Sequence, residues 1–310
     1  MVKIKVACPA NTVTGGIELL HQVVYECNKH PNVTAELWYI FSPNITEIPS
    51  EYWAYNNVVN NKVEDGDVLL FPEIWAHCTT NPQFKNHKKI VYWESVDNYF
   101  PHTPQNLWFK FGEGTIHISQ GMYSKLFLTD TINVNPKDII DITDYVNDAY
   151  LESDISTARD KVVLYNPVKG MEYTEKLIKL CPDIKFEPIK GMTRAQILSK
   201  MLHSMVWIDF GNFPGKDRLP REAGACGMVL ITGKRGSSKY QLDMNIPTQY
   251  KIGNITYADL GNIANKIREI LNNFEDHQKL FCAYRSVLKE EKMSFEHGIN
   301  ELVERLQNEV

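Results

Sequence analysis

Three cationic side chains in one short loop are the residues of this sequence best suited to chemistry. Lys216, Arg218 and Arg221 lie in a stretch with two glycines and a proline that follows an apolar run. A short helix is expected over 221–226, and a helix N-terminus beside cations is a ready site for a diphosphate. Glu222 lies one step inside that helix, where it can accept hydrogen bonds from ribose hydroxyls. The stretch therefore predicts a site for a nucleoside diphosphate. The alternatives are solvated surface charges and, for Arg221, an ion pair with a carboxylate.

A glycine pair near the N-terminus is a second candidate ligand site. Gly15 and Gly16 stand between a strand predicted over Val2–Ala7 and an amphipathic helix. Glycines at such a turn allow a ligand to approach the backbone closely. The complete G-x-G-x-x-G fingerprint is absent, so an ordinary dinucleotide site is not predicted. A tight turn without a ligand is the alternative interpretation.

Strands and helices alternate along the chain, which is typical of parallel sheets covered by helices on both faces. Apolar runs predict the strands of the first half at Val2–Ala7, Thr34–Phe41, Val68–Pro72, Lys89–Trp93 and Thr115–Ser119. They predict those of the second half at Val162–Tyr165, Ile184–Ile189, Met205–Ile208, Met228–Ile231 and Tyr250–Ile252. The fold class is therefore α/β, with two Rossmann-like domains.

An acidic, irregular stretch over 134–156 separates the two halves and is expected to be a solvated face or linker, with a metal site as the alternative. The predicted N-terminal domain covers 1–155 and the C-terminal domain covers 156–285. Two helices are expected after the amphipathic helix at 257–274, over 275–291 and 294–308. The last part, 286–310, is a separate C-terminal helical segment.

Composition restricts the class of protein. The chain has 310 residues, of which 43% are hydrophobic and 23% charged, and a formal net charge of -5. This is typical of a globular protein and argues against a nucleic-acid partner. No transmembrane run or signal-peptide pattern is evident, and six scattered cysteines lack metal-binding spacing. A cytoplasmic location is expected, with association with a membrane surface left open.

The sequence resembles the GT-B glycosyltransferases, whose two Rossmann-like domains face a central cleft, and among them the family-four type that uses nucleotide sugars. Gly15-Gly16 followed by Glu18 resembles that family's N-terminal glycine loop. Lys169-Gly170 resembles its lysine–glycine pair in the second domain. Glu222-Ala223, with Gly227 and Val229 after it, resembles its glutamate–alanine signature.

The resemblance implies that the C-terminal segment, 286–310, crosses back to the first domain. It also implies roles for several residues. Lys169 would bind the donor diphosphate, assisted by the three cations of the loop, and Glu222 would bind the ribose. Gly15 and Gly16 would be further donor contacts. The family's first glutamate is absent, because Pro214 occupies its position. The usual arginine before the lysine is also missing.

Carboxylates after a first-half strand are the candidate bases that accept the proton of an acceptor hydroxyl. Glu94 and Asp97 follow the strand Lys89–Trp93 and should lie at the ligand edge of the sheet. A helix cap for Asp97 and a surface position for Glu94 are the alternatives. The candidate acceptor contacts are Glu73, Trp75, His77 and Tyr99.

The predicted function is transfer of a sugar from a nucleotide sugar to a glycan or lipid-linked acceptor, in synthesis of surface polysaccharides or glycoconjugates. No cofactor is expected: no zinc spacing is present, and the basic loops would replace a metal electrostatically. The alternatives are a two-lobed nucleotide-sugar epimerase and a non-catalytic protein that binds sugars or nucleotides. A degenerate, inactive glycosyltransferase subunit is a further alternative.

Overall fold

The chain folds into two α/β units in the computed structural model, which describes residues 1–253 and 255–308. The first unit contains Met1–Asp144 together with the chain from Met293 onward, and the second contains Tyr145–Lys292. The division therefore falls after Asp144, whereas the sequence suggested residue 155.

Six parallel strands form the sheet of the first unit. They are β1 (Val2–Ala7), β2 (Val33–Trp38), β3 (Val68–Pro72), β4 (Lys88–Trp93), β5 (Ile116–Ser119) and β6 (Ile139–Asp141). Their order across the sheet is β2-β1-β3-β4-β5-β6. In register, Val6 of β1 pairs with Leu37 of β2 and Leu70 of β3.

β6 corrects the expectation that the acidic stretch is a linker. Ile140 lies opposite Ile118 of β5, and Ile140 and Ile142 are both buried. The isoleucines therefore add an edge strand, while Asp138 and Asp141 stay at the more exposed positions. The strand was not predicted because it has only three residues and lies among many acidic side chains.

Five parallel strands form the sheet of the second unit. They are β7 (Asp160–Tyr165), β8 (Lys185–Pro188), β9 (Ser204–Asp209), β10 (Val229–Gly233) and β11 (Lys251–Ile252). Their order is β11-β10-β9-β7-β8. Both sheets are all-parallel, as the alternation of strands and helices predicted.

Helices connect the strands. They are α1 (Gly15–Cys27), α2 (Val96–His102), α3 (Met122–Leu126), α4 (Asp148–Leu151), α5 (Met171–Leu180), α6 (Arg194–Leu202), α7 (Arg218–Ala225), α8 (Leu260–Asn272), α9 (Phe274–Lys279) and α10 (Cys282–Asn308). Side chains cap some of them: Thr14 accepts from the Ile17 amide before α1, and Thr193 and Gln196 form a reciprocal capping box at α6.

The last helix, α10, is continuous through residues 292 and 293, where two separate helices were expected. Lys292 and Met293 are good helix formers and no glycine or proline interrupts them, so nothing in the sequence stops the helix there. Its residues up to Lys292 belong to the second unit and those from Met293 to the first. Within the first unit, Arg305 donates to the carbonyl of Lys137 over 2.8 Å.

Each unit has its own apolar core. In the second unit the core contains the central strands and Trp207, with helix α8 packed through Ile263, Ile267 and Ile270. In the first unit Trp93, Tyr99 and Phe127 form an aromatic cluster against the sheet. Within the described residues no helix combines the length and the apolar character needed to cross a bilayer.

Candidate functional site

In each sheet the strand order reverses beside the first strand, and the loops at such a crossover are where open α/β sheets bind ligands. In the second unit β7 is flanked by β8 on one side and β9 on the other. The loop after β7 carries Lys169 and Gly170, and the loop after β9 carries 210–217. The lysine and the loop that were singled out in the sequence thus meet at one crossover.

Two glycines allow these loops to touch. A methyl group on Gly170 would lie 2.5 Å from the amide nitrogen of Gly211. One on Gly211 would lie 2.6 Å from Cγ of Lys169. Gly170 also has a left-handed backbone, with φ of 73°, which glycine adopts without strain. The Lys169 stem therefore crosses the loop after β9 at van der Waals distance.

Lys169 is held by the loop it crosses. Its Nζ donates to the carbonyl of Asn212 over 3.0 Å and is ion-paired with Asp217. The same Nζ lies 4.6 Å from the centroid of the Phe213 ring. Burial lowers the pKa of Lys169, and the negative charge of Asp209 opposes this shift. The ammonium group is thus a partly desolvated cation, which attracts anions more strongly than a solvated one.

Asp209 is a buried carboxylate at the end of β9. Its Oδ1 accepts the amide of Gly211 over 2.9 Å, and its side chain is only 2% exposed. Its Oδ2 is buried and has no hydrogen-bond partner among the described residues. Burial raises the pKa of Asp209 to about 6, and Lys169 opposes the shift. Asp209 therefore fixes the start of the loop and adds negative charge beside the lysine.

Lys216 and Arg221, both predicted to bind a diphosphate, are instead paired with Glu291 of α10. Lys216 Nζ lies 2.7 Å from Glu291 Oε1, and Arg221 contacts Oε2 of the same carboxylate. The side chains are 8% exposed for Lys216, 2% for Arg221 and 8% for Glu291. This placement favours a structural role for both cations, because they neutralise a buried carboxylate and thereby fix the end of the loop.

Helix α7 begins at Arg218, three residues before its predicted start at 221. Arg218 therefore occupies the first turn, and Glu222 follows one turn later; both side chains are partly exposed. Their predicted contacts with diphosphate and ribose remain predictions. Two exposed cations, Lys234 and Arg235, follow β10 at the same edge of the sheet.

Backbone hydrogen bonds join the loop after β9 to the loop after β10. The amide of Phe213 donates to Arg235 O over 3.3 Å, and the amide of Ser237 donates to Phe213 O over 2.8 Å. Ser237 Oγ also donates to the carbonyl of Gly215 over 2.5 Å. The two loops thus form one fixed surface at the carboxyl ends of β9 and β10.

The crossover of the first sheet lies between β1 and β3. Here the structure brings two predicted residues together: a methyl group on Gly16 would overlap with Oε2 of Glu94. Gly15 and Gly16 are the first two residues of α1. The Glu94 carboxylate therefore lies at the N-terminal turn of α1, where the helix dipole favours negative charge. This corrects the alternative that placed Glu94 on the surface, because the residue is buried.

Glu73 fixes the loop that carries Glu94. Its Oε2 accepts the backbone amide of Glu94 over 3.1 Å, and the residue is 3% exposed. Burial raises the pKa of Glu73 to about 7, although hydrogen bonds from backbone amides, including those of Glu94 and Ser95, oppose the shift. Glu73 was predicted to contact an acceptor, but its carboxylate is used to position the loop between β4 and α2.

Asp97 lies in the first turn of α2, and Ser95 rather than Asp97 is the N-cap. Its Oδ1 accepts the hydroxyl of Tyr123 over 2.6 Å. The alternative reading of Asp97 as the helix cap is therefore wrong. Asp97 and Tyr123 connect the loops after β4 and β5 at the carboxyl edge of the first sheet.

The three remaining acceptor candidates divide between surface and core. Trp75 and His77 are partly exposed in the short 3₁₀ segment Glu73–Thr80; Trp75 packs on Phe41, with ring centroids 5.0 Å apart. Tyr99 is fully buried, and its hydroxyl accepts the amide of Phe109 over 2.8 Å. Its prediction as an acceptor contact is not supported, because the ring is buried in the core of the first unit.

Sequence reasoning missed Asp209, Asp217 and Glu291. Asp209 is the last residue of an apolar strand and Asp217 lies between two cations, so neither aspartate is part of a sequence motif that predicts a functional role. Glu291 lies 70 residues from Arg221 in the chain, and only the fold brings them together. In the described part of the chain, no cluster of three or more His, Cys, Asp or Glu side chains is arranged to hold a metal ion.

No family model and no curated protein matches the sequence. Solved structures do match the fold. A glycosyltransferase from Rickettsia africae aligns with a TM-score of 0.65 at 12% identity, over 99% of this chain and 98% of that one. Sucrose-phosphate synthase from Thermosynechococcus elongatus gives 0.65 at 12% identity over 100% of both chains. Anabaena HepE, solved with UDP-glucose, gives 0.62 at 10% identity over 98% of this chain and 100% of that chain.

These likenesses define the fold. The chain has the two-domain, Rossmann-like GT-B fold that is found in nucleotide-sugar glycosyltransferases. The expectation drawn from Gly15-Gly16, Lys169-Gly170 and Glu222-Ala223 is confirmed at this level.

Proposed function

We propose that this protein is a glycosyltransferase that moves a sugar from a nucleoside-diphosphate sugar to a hydroxyl group of a glycan or lipid-linked acceptor. The observation that carries the proposal is the position of Lys169. It lies at the crossover of the second sheet, beside the Gly170–Gly211 contact, at the edge where open α/β sheets bind ligands. The likeness to structures that include one solved with UDP-glucose supports the same class of donor.

In this proposal the second unit binds the donor. Lys169 contacts the diphosphate and stabilises the negative charge that grows on the leaving nucleotide. Glu222 binds the ribose hydroxyls, and Arg218 at the start of α7 adds positive charge. Lys216 and Arg221 act indirectly, since their pairing with Glu291 fixes the end of the loop after β9 (residues 210–217), which we call the donor loop.

In the first unit Glu94 is the proposed base. It lies at the N-terminal turn of α1, and Glu73 holds its loop through the backbone amide. A carboxylate whose backbone is held in this way can accept the proton of an acceptor hydroxyl as the new bond forms. Asp97, Trp75 and His77 lie on neighbouring loops and are the proposed acceptor contacts.

We also propose that transfer requires no metal ion, because Lys169 and the cations of the neighbouring loops supply positive charge for the diphosphate. A role in the synthesis of surface polysaccharides or glycoconjugates in the cytoplasm fits the class of enzyme.

Incubation with a panel of nucleotide sugars and glycan acceptors, followed by mass spectrometry, tests the function. Release of a nucleoside diphosphate together with an acceptor one sugar heavier, in excess EDTA, is the expected result. A changed sugar on an intact nucleotide would indicate an epimerase instead. Binding without any chemistry would favour a non-catalytic protein, and loss of transfer in EDTA would refute the metal-independent reaction.

A further inference from the structure

The Lys169 ammonium group already has anionic and polar partners within its own chain. It carries three N–H donors. One is directed to the carbonyl of Asn212 over 3.0 Å, and the Asp217 carboxylate is its ion-pair partner. The Phe213 ring lies 4.6 Å from the same nitrogen. An incoming diphosphate must therefore replace one of these partners. Asp217 is the partner that is negatively charged, as the diphosphate is.

The backbone around Asp217 is fixed, so its side chain is the part that can respond. The loop is joined to the next one through Phe213 and Gly215. Beyond it, Lys216 is paired with Glu291, and its carbonyl accepts from Arg221 over 3.3 Å. Rotation of the Asp217 side chain therefore frees Lys169 without displacing the loop.

Asp217 also has a second partner available. It is the N-cap residue of α7, with φ of -55° and ψ of 133°, yet its side chain makes no capping hydrogen bond. Aspartate is a favoured N-cap residue because its carboxylate accepts amides of the first turn. Pro220 at the third position has no amide hydrogen, which leaves Leu219 as the amide to be capped. The Asp217 carboxylate can thus either pair with Lys169 or accept the Leu219 amide at the N-terminus of α7.

We propose that Asp217 is an internal counter-ion of Lys169 that the donor diphosphate displaces, after which Asp217 caps α7. This inference rests on the proposed function and adds the step that sets donor affinity. The diphosphate carries more negative charge than one carboxylate, so it displaces Asp217 from Lys169. Its net affinity is lowered by the ion pair that must first be broken.

The test is isothermal titration calorimetry with UDP and with inorganic pyrophosphate as probes. Asp217→Asn removes the competing charge, and Asp217→Ser does so while keeping a good N-cap residue. The side chains of this ion pair are 24% and 19% exposed, so water still screens the pair in part, and we expect both variants to bind UDP roughly two- to five-fold more tightly than wild type. Lys169→Met should abolish the gain in combination with either variant.

Glu172→Gln is the matched control. Glu172 lies in the first turn of α5, half-exposed and 3.5 Å from Arg235, so this variant removes one negative charge near the same loops without touching Lys169. Equal gains in Glu172→Gln and Asp217→Asn would overturn the proposal, since the effect would then be general electrostatics. Weaker binding by both Asp217 variants would overturn it too, because Asp217 would then contribute to the donor site.

The proposed function and this inference fail differently. If wild type binds UDP and Lys169→Met does not, but the Asp217 variants bind no more tightly, only the counter-ion role is lost. If neither wild type nor the Asp217 variants bind UDP or pyrophosphate at millimolar concentration, both proposals fail.

Discussion

The Glu94 carboxylate lies against the α-carbon of Gly16, so closely that a methyl group at Gly16 would overlap with Oε2 of Glu94. The two residues are 78 positions apart in the chain and belong to the two motifs of the first unit that were singled out in the sequence. Their contact places the proposed base at the N-terminal turn of α1.

Gly16→Ala should therefore impair activity without unfolding the protein. The atom in the way is the end of a flexible side chain, so Glu94 moves aside while the fold persists. We expect transfer to fall at least about ten-fold, which corresponds to about 1.4 kcal/mol in the barrier, with a nearly unchanged melting temperature. Gly261→Ala is the control, because a methyl group there meets nothing within 4 Å. Equal activity of the two variants would contradict the assignment of Glu94.

Gly170→Ala should destabilise the second unit. The left-handed backbone of Gly170 costs an alanine about 1 kcal/mol, and the methyl group would lie 2.5 Å from the Gly211 nitrogen, a backbone atom that cannot rotate away. Gly191→Ala has a similar φ of 66° with open space around it, so it reports the conformational cost alone. Urea denaturation should show Gly170→Ala to be the less stable by roughly a further 1–3 kcal/mol. Equal stabilities would argue against the close contact.

Glu291→Gln should destabilise the protein and loosen the donor loop. The substitution leaves the buried cations Lys216 and Arg221 without their shared carboxylate, and breaking a buried pair of this kind costs about 3 kcal/mol. Glu290→Gln removes the same charge from an exposed neighbour and should change stability by less than about 0.5 kcal/mol. Thermal or urea unfolding of both variants measures the difference, and similar values would refute the anchoring role.

The buried Glu73 gives stability a specific dependence on pH. Burial raises its pKa to about 7, so its neutral form is favoured in the folded state while the unfolded chain ionises from about pH 4.5. Its contribution is fully retained below that pH and is lost as the pH rises through 7. Linkage gives a total loss on the order of 3 kcal/mol.

Glu73→Gln keeps an acceptor for the Glu94 amide but cannot ionise. The difference in unfolding free energy between this variant and wild type should therefore change between about pH 4.5 and 7, in favour of the variant at the higher pH. Measuring the difference removes the opposite trend expected from the buried His21 and His117, whose pKa values burial lowers to about 4. A constant difference across this range would show that Glu73 is ionised throughout.

Much of this fold follows from local sequence patterns. Nearly all the strands were predicted from apolar segments, either continuous or alternating with polar residues. The loops that contain Lys169 and Lys216 follow β7 and β9, the two strands that form the crossover. Local patterns failed where the decisive partner is remote. The sequence around Arg221 does not predict Glu291 as its partner. The sequence around Glu94 likewise does not predict the contact with Gly16 or the hydrogen bond from the Glu94 amide to the Glu73 carboxylate.

The acidic segment shows the opposite failure. Its charges suggested a linker, but three residues, two of them isoleucines, form β6. They can do so because β5 has an edge with unpaired backbone groups to which β6 hydrogen-bonds. Tyr99 illustrates that an aromatic residue near a loop is ambiguous in sequence, since packing and sugar stacking use the same side chain.

Binding of nucleotides by charge-matched lysine variants tests the central claim most directly. A thermal-shift panel of nucleoside diphosphates and nucleotide sugars would be run on wild type, Lys169→Met and Lys179→Met, since Lys179 is an exposed lysine on α5. A ligand that binds only the folded state raises the melting temperature. The expected result is a shift with at least one nucleotide sugar that persists in Lys179→Met and is lost in Lys169→Met. A shift that survives in Lys169→Met, or no shift with any nucleotide, would contradict a donor site at the crossover of the second sheet.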